Sequence, residues 1–327
     1  MWFLFSLVAL FGWGLADLFY KKGTDEADPH SHLKIAVWVG LVMGICSLVL
    51  LPFAEHPFEP VNFIRYAPAS VCYILSMVIG YAGMRYLELS ILSPVQNSSG
   101  AFSAVLMTLF FLLTSKNAAE AIAGETGFVF GRTNGWETVN NVLIVGGVVC
   151  IVAGLIALAA VEQRMSRIPS ERKYRLGALA LLFPLLYCLF DTLGTAADGI
   201  LLDEEHGLAL GEIDVLIYYG LTFFAFGLCC YLYLLLFKKK RYNPFAKKEL
   251  TKGAAACFEE FGQVFYVFAM AAEPVLAAPI IGSYCIVSVL LSRLVLKEKP
   301  DKKQILCIVI CILGIVMLGV SEGLGEK

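Results

Sequence analysis

Two adjacent acidic residues, Glu259 and Glu260, interrupt an otherwise apolar segment late in the chain. In a helix, Gln263 and Tyr266 fall on the same face as Glu259, whereas Glu260 points roughly 100° away. An acid inside a membrane-spanning helix costs at least about 2.5–3.5 kcal/mol and usually faces a cavity or a partner. Glu259 is therefore the first candidate for a residue that contacts a substrate or exchanges a proton, and we predict Gln263 and Tyr266 as further substrate contacts on the same face.

The alternative for this acid pair is neutralisation by basic side chains that reach in from the start of the same helix. The bases in question are Lys252, Lys247 and Lys248. We favour the cavity interpretation for Glu259 because it shares its face with two polar side chains, and we favour it less for Glu260.

A second candidate face lies near the N-terminus, where Trp13, Asp17 and either Tyr20 or Lys21 recur at helical spacing. On one interpretation, Asp17 lines a cavity and meets a cation or a proton. On the other, Asp17 and Lys21 form an ion pair at the lipid headgroup boundary. Both interpretations stay open, and we predict Trp13 and Asp17 as substrate contacts, with Asp17 as a second candidate for proton coupling.

Tyr187 and Asp191 repeat the Trp13 and Asp17 pattern in the second half of the chain. We predict Tyr187 as a substrate contact. Asp191 is expected near the outer mouth, where a solvated carboxylate is ordinary, and it is not counted among the predicted contacts.

Polar side chains also interrupt two further apolar segments. Gln96 and Asn97 exceed what close helix packing needs, and Ser283 and Tyr284 occupy the corresponding later segment. We predict these four, together with Tyr81, as substrate contacts. Small residues beside them are equally typical of simple helix packing.

The composition indicates a polytopic membrane protein. Of the 327 residues, 59% are hydrophobic and only 16% are charged, and the mean hydropathy is +0.76. Soluble domains carry about 25% charged residues. Apolar segments long enough to cross a membrane predict an all-α integral membrane protein with ten transmembrane helices. The predicted spans are 2–20, 35–53, 67–86, 89–113, 142–161, 176–195, 213–237, 253–271, 274–296 and 304–320, and a short surface helix is expected at 118–123.

Several classes of function are disfavoured. Basic residues are not interleaved with base-stacking aromatics, so nucleic acid is not an expected partner. The ten cysteines lack metal-ligand spacing and the four histidines lie in predicted links, so we expect neither a metal, another cofactor nor an enzyme. The sequence contains no phosphate-cradling glycine loop, so any energy source would be an ion gradient or exchange.

Residues of the same type recur at one constant spacing, which predicts a duplicated unit. The pairs are Cys72 and Cys257, Tyr81 and Tyr266, Glu88 and Glu273, Pro94 and Pro279, and Ser98 and Ser283. We therefore predict a first five-helix repeat at 1–161, a basic linker at 162–175 and a second five-helix repeat at 176–327. An odd number of helices in each repeat makes the two halves enter from opposite sides, as in many secondary carriers.

Basic residues predict the orientation. Only Arg65, Lys116, Arg132 and Lys327, among 25 basic residues, lie on the side that holds both termini. The opposite side, which includes the link around 238–252, is expected to be cytoplasmic by the positive-inside rule.

Three motifs resemble the EamA-type branch of the drug/metabolite transporter superfamily. They are Phe11-Gly-Trp13-Gly followed by Lys21, the glutamate-then-proline entries to helices 4 and 9, and Leu291-Ser-Arg293-Leu-Val-Leu-Lys297-Glu298 before helix 10. The resemblance implies two inverted five-helix halves, a central cavity lined mainly by helices 1, 3, 4, 6, 8 and 9, and transport of small metabolites. Family members usually keep both termini cytoplasmic and have a short link between helices 4 and 5. This chain differs in both respects, because its basic residues place the termini outside and its link between helices 4 and 5 is long.

Together these features predict a secondary active transporter that moves a small polar or amphipathic metabolite by alternating access, with protons as a candidate coupling ion. We expect it in the lipid bilayer of the cell (inner) membrane. The alternative is a channel or a lipid-handling membrane protein without ion coupling. The sequence does not indicate an oligomeric state.

Overall fold

The structure is a computed structural model that describes residues 1–87, 89–115, 117–129, 135–165, 182–203, 207–208, 210–237, 242–296 and 302–325. Within these ranges the chain is almost entirely helical and contains no β-strand. The helices are α1 (Trp2–Gly23), α2 (Ser31–Leu50), α3 (Val61–Gly83), α4 (Leu89–Asn97), α5 (Ser99–Thr114), α6 (Ala118–Thr126), α7 (Trp136–Met165), α8 (Leu182–Leu202), α9 (Glu212–Leu232), α10 (Leu250–Ala272), α11 (Pro274–Gly282), α12 (Cys285–Leu296) and α13 (Lys302–Gly325).

Nine helical stretches in the described ranges are long and apolar enough to cross a membrane. Two of them are each made of two consecutive helices, α4 with α5 and α11 with α12. The predicted span that is not among these nine, 253–271, corresponds to α10, which has 23 residues but carries Glu259, Glu260 and Gln263 in its middle. The multi-pass membrane class is thereby confirmed, whereas a crossing by α10 stays a prediction.

Some predicted boundaries are wrong. The helix expected at 142–161 begins at Trp136 and runs to Met165, and the short surface helix continues to Thr126. The helix expected at 176–195 is described as Leu182–Leu202, with Pro184 in its first turn, where proline is well tolerated. An apolar window does not register a polar residue such as Asp198, so the prediction ended this helix too early. The greater part of the predicted linker, 166–175, lies outside the described residues.

Helices pair across the two halves of the chain in a reciprocal pattern. The major pairs are α1 with α10, α3 with α8, α2 with α9, α7 with α13 and α5 with α11. The predicted duplication would equate α1 with α8 and α3 with α10, so the first two pairs would be equivalent to each other. It would also equate α2 with α9 and α7 with α13, so each of these two pairs would join a helix to its own counterpart. The α5–α11 pair joins one part of each broken helix.

Glycines allow these cross-half pairs to approach closely. A Cβ atom on Gly40 would lie 2.9 Å from the Cα of Gly227, and one on Gly100 would lie 3.1 Å from the Cα of Gly282. Backbones in contact at such distances leave no room for a side chain. The two halves are therefore packed backbone to backbone around the centre of the molecule.

Ion pairs join the links at one end of the bundle. The Lys34 Nζ lies 2.7 Å from the Asp28 Oδ2 and 3.9 Å from the Glu249 Oε1, and the Lys252 Nζ lies 2.6 Å from the Glu249 Oε2. Glu249 and Lys252 are each only 3% exposed. These contacts bring the link between α1 and α2 against the link between α9 and α10.

We expect Glu249→Gln to destabilise the protein by about 3 kcal/mol, because removing one member of a buried ion pair leaves the other charge uncompensated. A melting curve in detergent, followed by intrinsic fluorescence, measures the effect. Glu137→Gln is the matched control, since Glu137 is an exposed acid in the first turn of α7. Equal melting temperatures for the two variants would show that the pair contributes nothing.

Candidate functional site

A cavity of about 720 Å³, which includes its open part, lies between the two halves of the bundle. It is lined by α1, α3, α4, α5, α8, α10 and α11, with Tyr219 from α9 and Tyr284 from the break after α11. We call it the central cavity. Ten of the eleven predicted contacts line it: Trp13, Asp17, Tyr81, Gln96, Asn97, Tyr187, Glu259, Gln263, Tyr266 and Tyr284.

The remaining predicted contact, Ser283, is fully buried and does not line the cavity. Its hydroxyl donates to the backbone carbonyl of Ile280 within the turn that separates α11 from α12. The hydroxyl of Ser283 is thus hydrogen-bonded within the break between α11 and α12.

Asp17 is held by serines from both broken helices. Its Oδ2 accepts hydrogen bonds from the hydroxyls of Ser93, at 2.7 Å, and Ser288, at 2.9 Å. The amide of Asn97 donates to the Ser93 oxygen at 3.0 Å. Asn97 is thereby positioned through the same network, which links α1, α4 and α12 at the cavity wall.

The ion pair between Asp17 and Lys21, one of the two interpretations left open by the sequence, is absent among the described residues. The Lys21 Nζ instead donates to the backbone carbonyls of Met84, at 2.5 Å, and Leu87, at 3.0 Å, and lies 3.7 Å from the Glu26 carboxylate. Lys21 lies on the helix face that meets the end of α3, where carbonyls lack helical partners. Asp17 therefore faces the cavity without this lysine beside it.

Asp191 lies in the middle of α8 rather than near its outer end, which corrects the sequence-based placement. Its Oδ2 accepts a hydrogen bond from the Ser99 hydroxyl at 2.6 Å, and it lines the central cavity. The structure thus places both Asp17 and Asp191 at the cavity wall, each accepting a hydrogen bond from a serine of a broken helix. The spacing match between the two helices was the available signal for Asp191.

Glu259 and Glu260 point to different surroundings. Glu259 is partly exposed to the central cavity and makes no hydrogen bond or ion pair through its carboxylate within the described part of the chain. Asp17, Glu260 and Asp191 lie near enough to repel its carboxylate. Glu260 is only 9% exposed, does not line the cavity and faces Cys46 of α2. The two acids differ as the helical spacing predicted.

Aromatic rings form much of the cavity wall. Trp13 stacks on Tyr266 with ring centroids 5.1 Å apart and meets Tyr284 edge-on at 5.7 Å. The indole N–H of Trp13 donates to the backbone carbonyl of Glu259 at 3.1 Å, so the ring is held in place. The side chain of Glu259 therefore emerges beside a fixed aromatic surface.

A second aromatic group lies across the cavity. Tyr20 and Tyr81 have ring centroids 4.8 Å apart. The hydroxyl of Tyr73 is hydrogen-bonded to that of Tyr266 and lies 3.0 Å from the Thr195 hydroxyl. Thr195 and Ser288 were not predicted, because a lone hydroxyl in an apolar helix carries no sequence signal of its own.

Two side-chain amides at the cavity each have a nitrogen without a hydrogen-bond partner among the described residues. Gln96 and Gln263 are almost fully buried, and their Nε2 atoms have no hydrogen-bond partner in the ranges that the structure describes. A buried donor without a partner costs about 1–3 kcal/mol, which a bound molecule relieves. Both amides are therefore available to a ligand.

The described residues contain no group of three or more histidine, cysteine or acidic side chains that could hold a metal ion. All ten cysteines are free thiols. Among the described histidines, His30 and His56 lie in links and His32 in the first turn of α2, away from the central cavity.

Both broken helices cross at the cavity. The chain breaks between α4 and α5 at Ser98, and between α11 and α12 at Ser283 and Tyr284. Pro94 and Pro279 lie inside the two helices that precede these breaks. A proline within a helix lacks the N–H that would bond the carbonyl four residues earlier.

We expect Pro94→Ala combined with Pro279→Ala to reduce transport at least about tenfold in a folded protein, if freed carbonyls and bent helices shape the cavity. Uptake into liposomes measures transport, and a melting curve checks folding. The matched control is Pro68→Ala, since Pro68 lies inside α3 and does not line the cavity. Normal transport by the double variant would show that the two prolines serve only at the start of their helices and do not shape the cavity.

A bundle of apolar helices around a polar, acid-lined cavity defines a class of multi-pass membrane protein. Residues 208–320 match the model of the EamA-like transporter family. The predicted resemblance is confirmed over this region, which is similar to that family within the drug/metabolite transporter superfamily.

A solved structure titled "Crystal structure of protein" aligns with a TM-score of 0.57 over 97% of this chain and 96% of its own. The sequence identity is 13%, so this likeness concerns the fold alone. No curated protein sequence matches the chain.

Proposed function

We propose that the protein is a secondary active transporter that moves a small polar or amphipathic metabolite by alternating access. The observation that carries the proposal is the central cavity, which lies between the halves and is lined by two broken helices. Carriers built from repeats bind their substrates in this position, beside discontinuous helices.

Ten helices in two inverted halves are the architecture that we propose for this activity. Residues 1–161 form the first half, 162–175 the basic linker and 176–327 the second half. In this arrangement α10 completes the set of ten spans, and its polar face is tolerated because Glu259, Gln263 and Tyr266 line the cavity instead of facing lipid. The reciprocal pairing of helices supports the two-fold relation between the halves.

We further propose that protons drive transport, with Glu259 as the principal coupling residue and Asp17 as the second. Glu259 supports this role because its carboxylate faces the cavity without a hydrogen bond or a basic partner among the described residues. Asp17, held by two serine hydroxyls, is the less mobile of the two charges. A substrate and a proton that bind at coupled sites shift one another's occupancy.

The decisive experiment is transport by purified protein in liposomes. A thermal-shift screen across amino acids, nucleobases, vitamins and organic cations first selects ligands, and counterflow of each radiolabelled ligand then tests transport. Saturable counterflow supports a carrier. Flux that rises linearly with concentration and shows no counterflow would indicate the channel alternative.

We propose that both termini lie on the non-cytoplasmic side of the cell (inner) membrane. The distribution of basic residues supports this orientation. In a cysteine-free background, a cysteine at exposed Lys247 should resist an impermeant thiol reagent in intact cells, and one at exposed Glu59 should react. Permeabilised cells, in which both sites should react, are the control. Labelling at 247 but not at 59 would place the termini in the cytoplasm.

A further inference from the structure

We propose that the substrate of the central cavity is an organic cation, with a protonated amine or a quaternary ammonium group attached to a compact apolar body. This inference rests on the proposed transport function and names its substrate class. It is carried by the charge of the cavity wall and by the kind of surface between the charges.

Three carboxyl groups line the central cavity, from Asp17, Asp191 and Glu259. None of its described lining residues is lysine, arginine or histidine. Lys21, the basic residue one position beyond Tyr20, donates to backbone carbonyls and does not line the cavity. A wall with acids and without bases attracts cations and repels anions, and low-dielectric surroundings strengthen both effects.

The three carboxylates differ in the hydrogen bonds that they accept. Asp17 and Asp191 accept serine hydrogen bonds, whereas the Glu259 carboxylate has no partner among the described residues. A charged group of the substrate can therefore pair with Glu259 without displacing a protein contact. The other two carboxyls add to the attraction at longer range.

The remaining surface suits an organic cation better than a hydrated metal ion. One tryptophan and seven tyrosines line the cavity: Trp13, Tyr20, Tyr73, Tyr81, Tyr187, Tyr219, Tyr266 and Tyr284. Aromatic faces attract ammonium groups, and cages of such rings recognise quaternary ammonium ligands. The described residues offer no cluster of acids able to hold a metal, so the charge is spread along an aromatic wall. The free amides of Gln96 and Gln263 are available to a polar substituent on the same molecule.

The test compares isosteric ligands that differ in charge. Choline carries a trimethylammonium head, 3,3-dimethylbutan-1-ol replaces its nitrogen by carbon, and 3,3-dimethylbutanoate carries a negative charge on the same branched body. Benzyltrimethylammonium adds a larger cation. Replacing Trp2, Trp38 and Trp136 by phenylalanine leaves Trp13 as the single tryptophan, and its fluorescence reports binding in the full-length protein in detergent.

We expect at least one of the two cations to bind at least about tenfold more tightly than the neutral alcohol, and the anion not to bind. Glu259→Gln should weaken binding of that cation about tenfold and leave the neutral alcohol unchanged. Glu260→Gln is the matched control and should change neither, because Glu260 does not line the cavity. Equal or tighter binding of the alcohol or the anion overturns the proposal, and so does absence of saturable binding of both cations up to about 10 mM.

Counterflow in liposomes separates this inference from the proposed function. A cation that binds beside Trp13 but shows no counterflow supports the site and contradicts transport. Counterflow of the anion or the alcohol, without binding of either cation, supports transport and contradicts the cation inference.

Discussion

Glu259→Gln is expected to abolish the accumulation of substrate in liposomes under an imposed pH gradient. Glutamine keeps the shape of the side chain but cannot release a proton, so it resembles a permanently protonated carrier. Exchange of labelled for unlabelled substrate need not release the proton and should persist when substrate is saturating. Asp17 and Asp191 remain in the wall and keep the cavity acidic.

The comparison that isolates coupling is with Glu260→Gln. That side chain is the adjacent acid on the same helix, but it faces Cys46 outside the central cavity, so accumulation should be preserved. A Glu259→Gln carrier that still concentrates substrate along a pH gradient would rule out proton coupling at this residue. Transport would then depend on uniport, exchange or another ion.

Gly80→Leu is expected to block transport by more than about tenfold while the protein stays folded. A Cβ atom at this position would lie 2.8 Å from the Gln96 Nε2 and 2.8 Å from the Tyr187 ring, both at the cavity wall. The branched side chain would occupy the space that a substrate needs. Its neighbours are side chains rather than backbone, and overpacking of this kind costs about 1–3 kcal/mol, so the fold should survive.

Initial rates of counterflow, with the melting temperature beside them, measure this effect. Gly124→Leu in α6 is the matched control, because a Cβ there meets nothing within 4 Å and the residue is remote from the cavity lining. Unchanged counterflow in Gly80→Leu would show that the substrate does not pass this part of the central cavity.

Much of the architecture could be predicted from the sequence because its causes are local. Long apolar segments indicate membrane helices, and a constant spacing of matching residues indicates duplication. The face of one helix also follows from its own spacing, which is why Glu259, Gln263 and Tyr266 reach the same cavity and Glu260 does not. Helix α10 was predicted as a span at 253–271, although it is not among the nine clearly apolar spans of the structure.

The partners of the charged groups were decided only by the tertiary structure. Spacing within one helix left open whether Asp17 pairs with Lys21 or faces a cavity, and in the structure Asp17 contacts Ser93 and Ser288 from two other helices. Asp191 lines the cavity because the packing of α8 against its neighbours turns that face inward, which its own sequence does not specify. Helical periodicity determines which residues share a face, but helix packing determines which face meets which neighbour, and close approaches such as Gly100 with Gly282 set that packing.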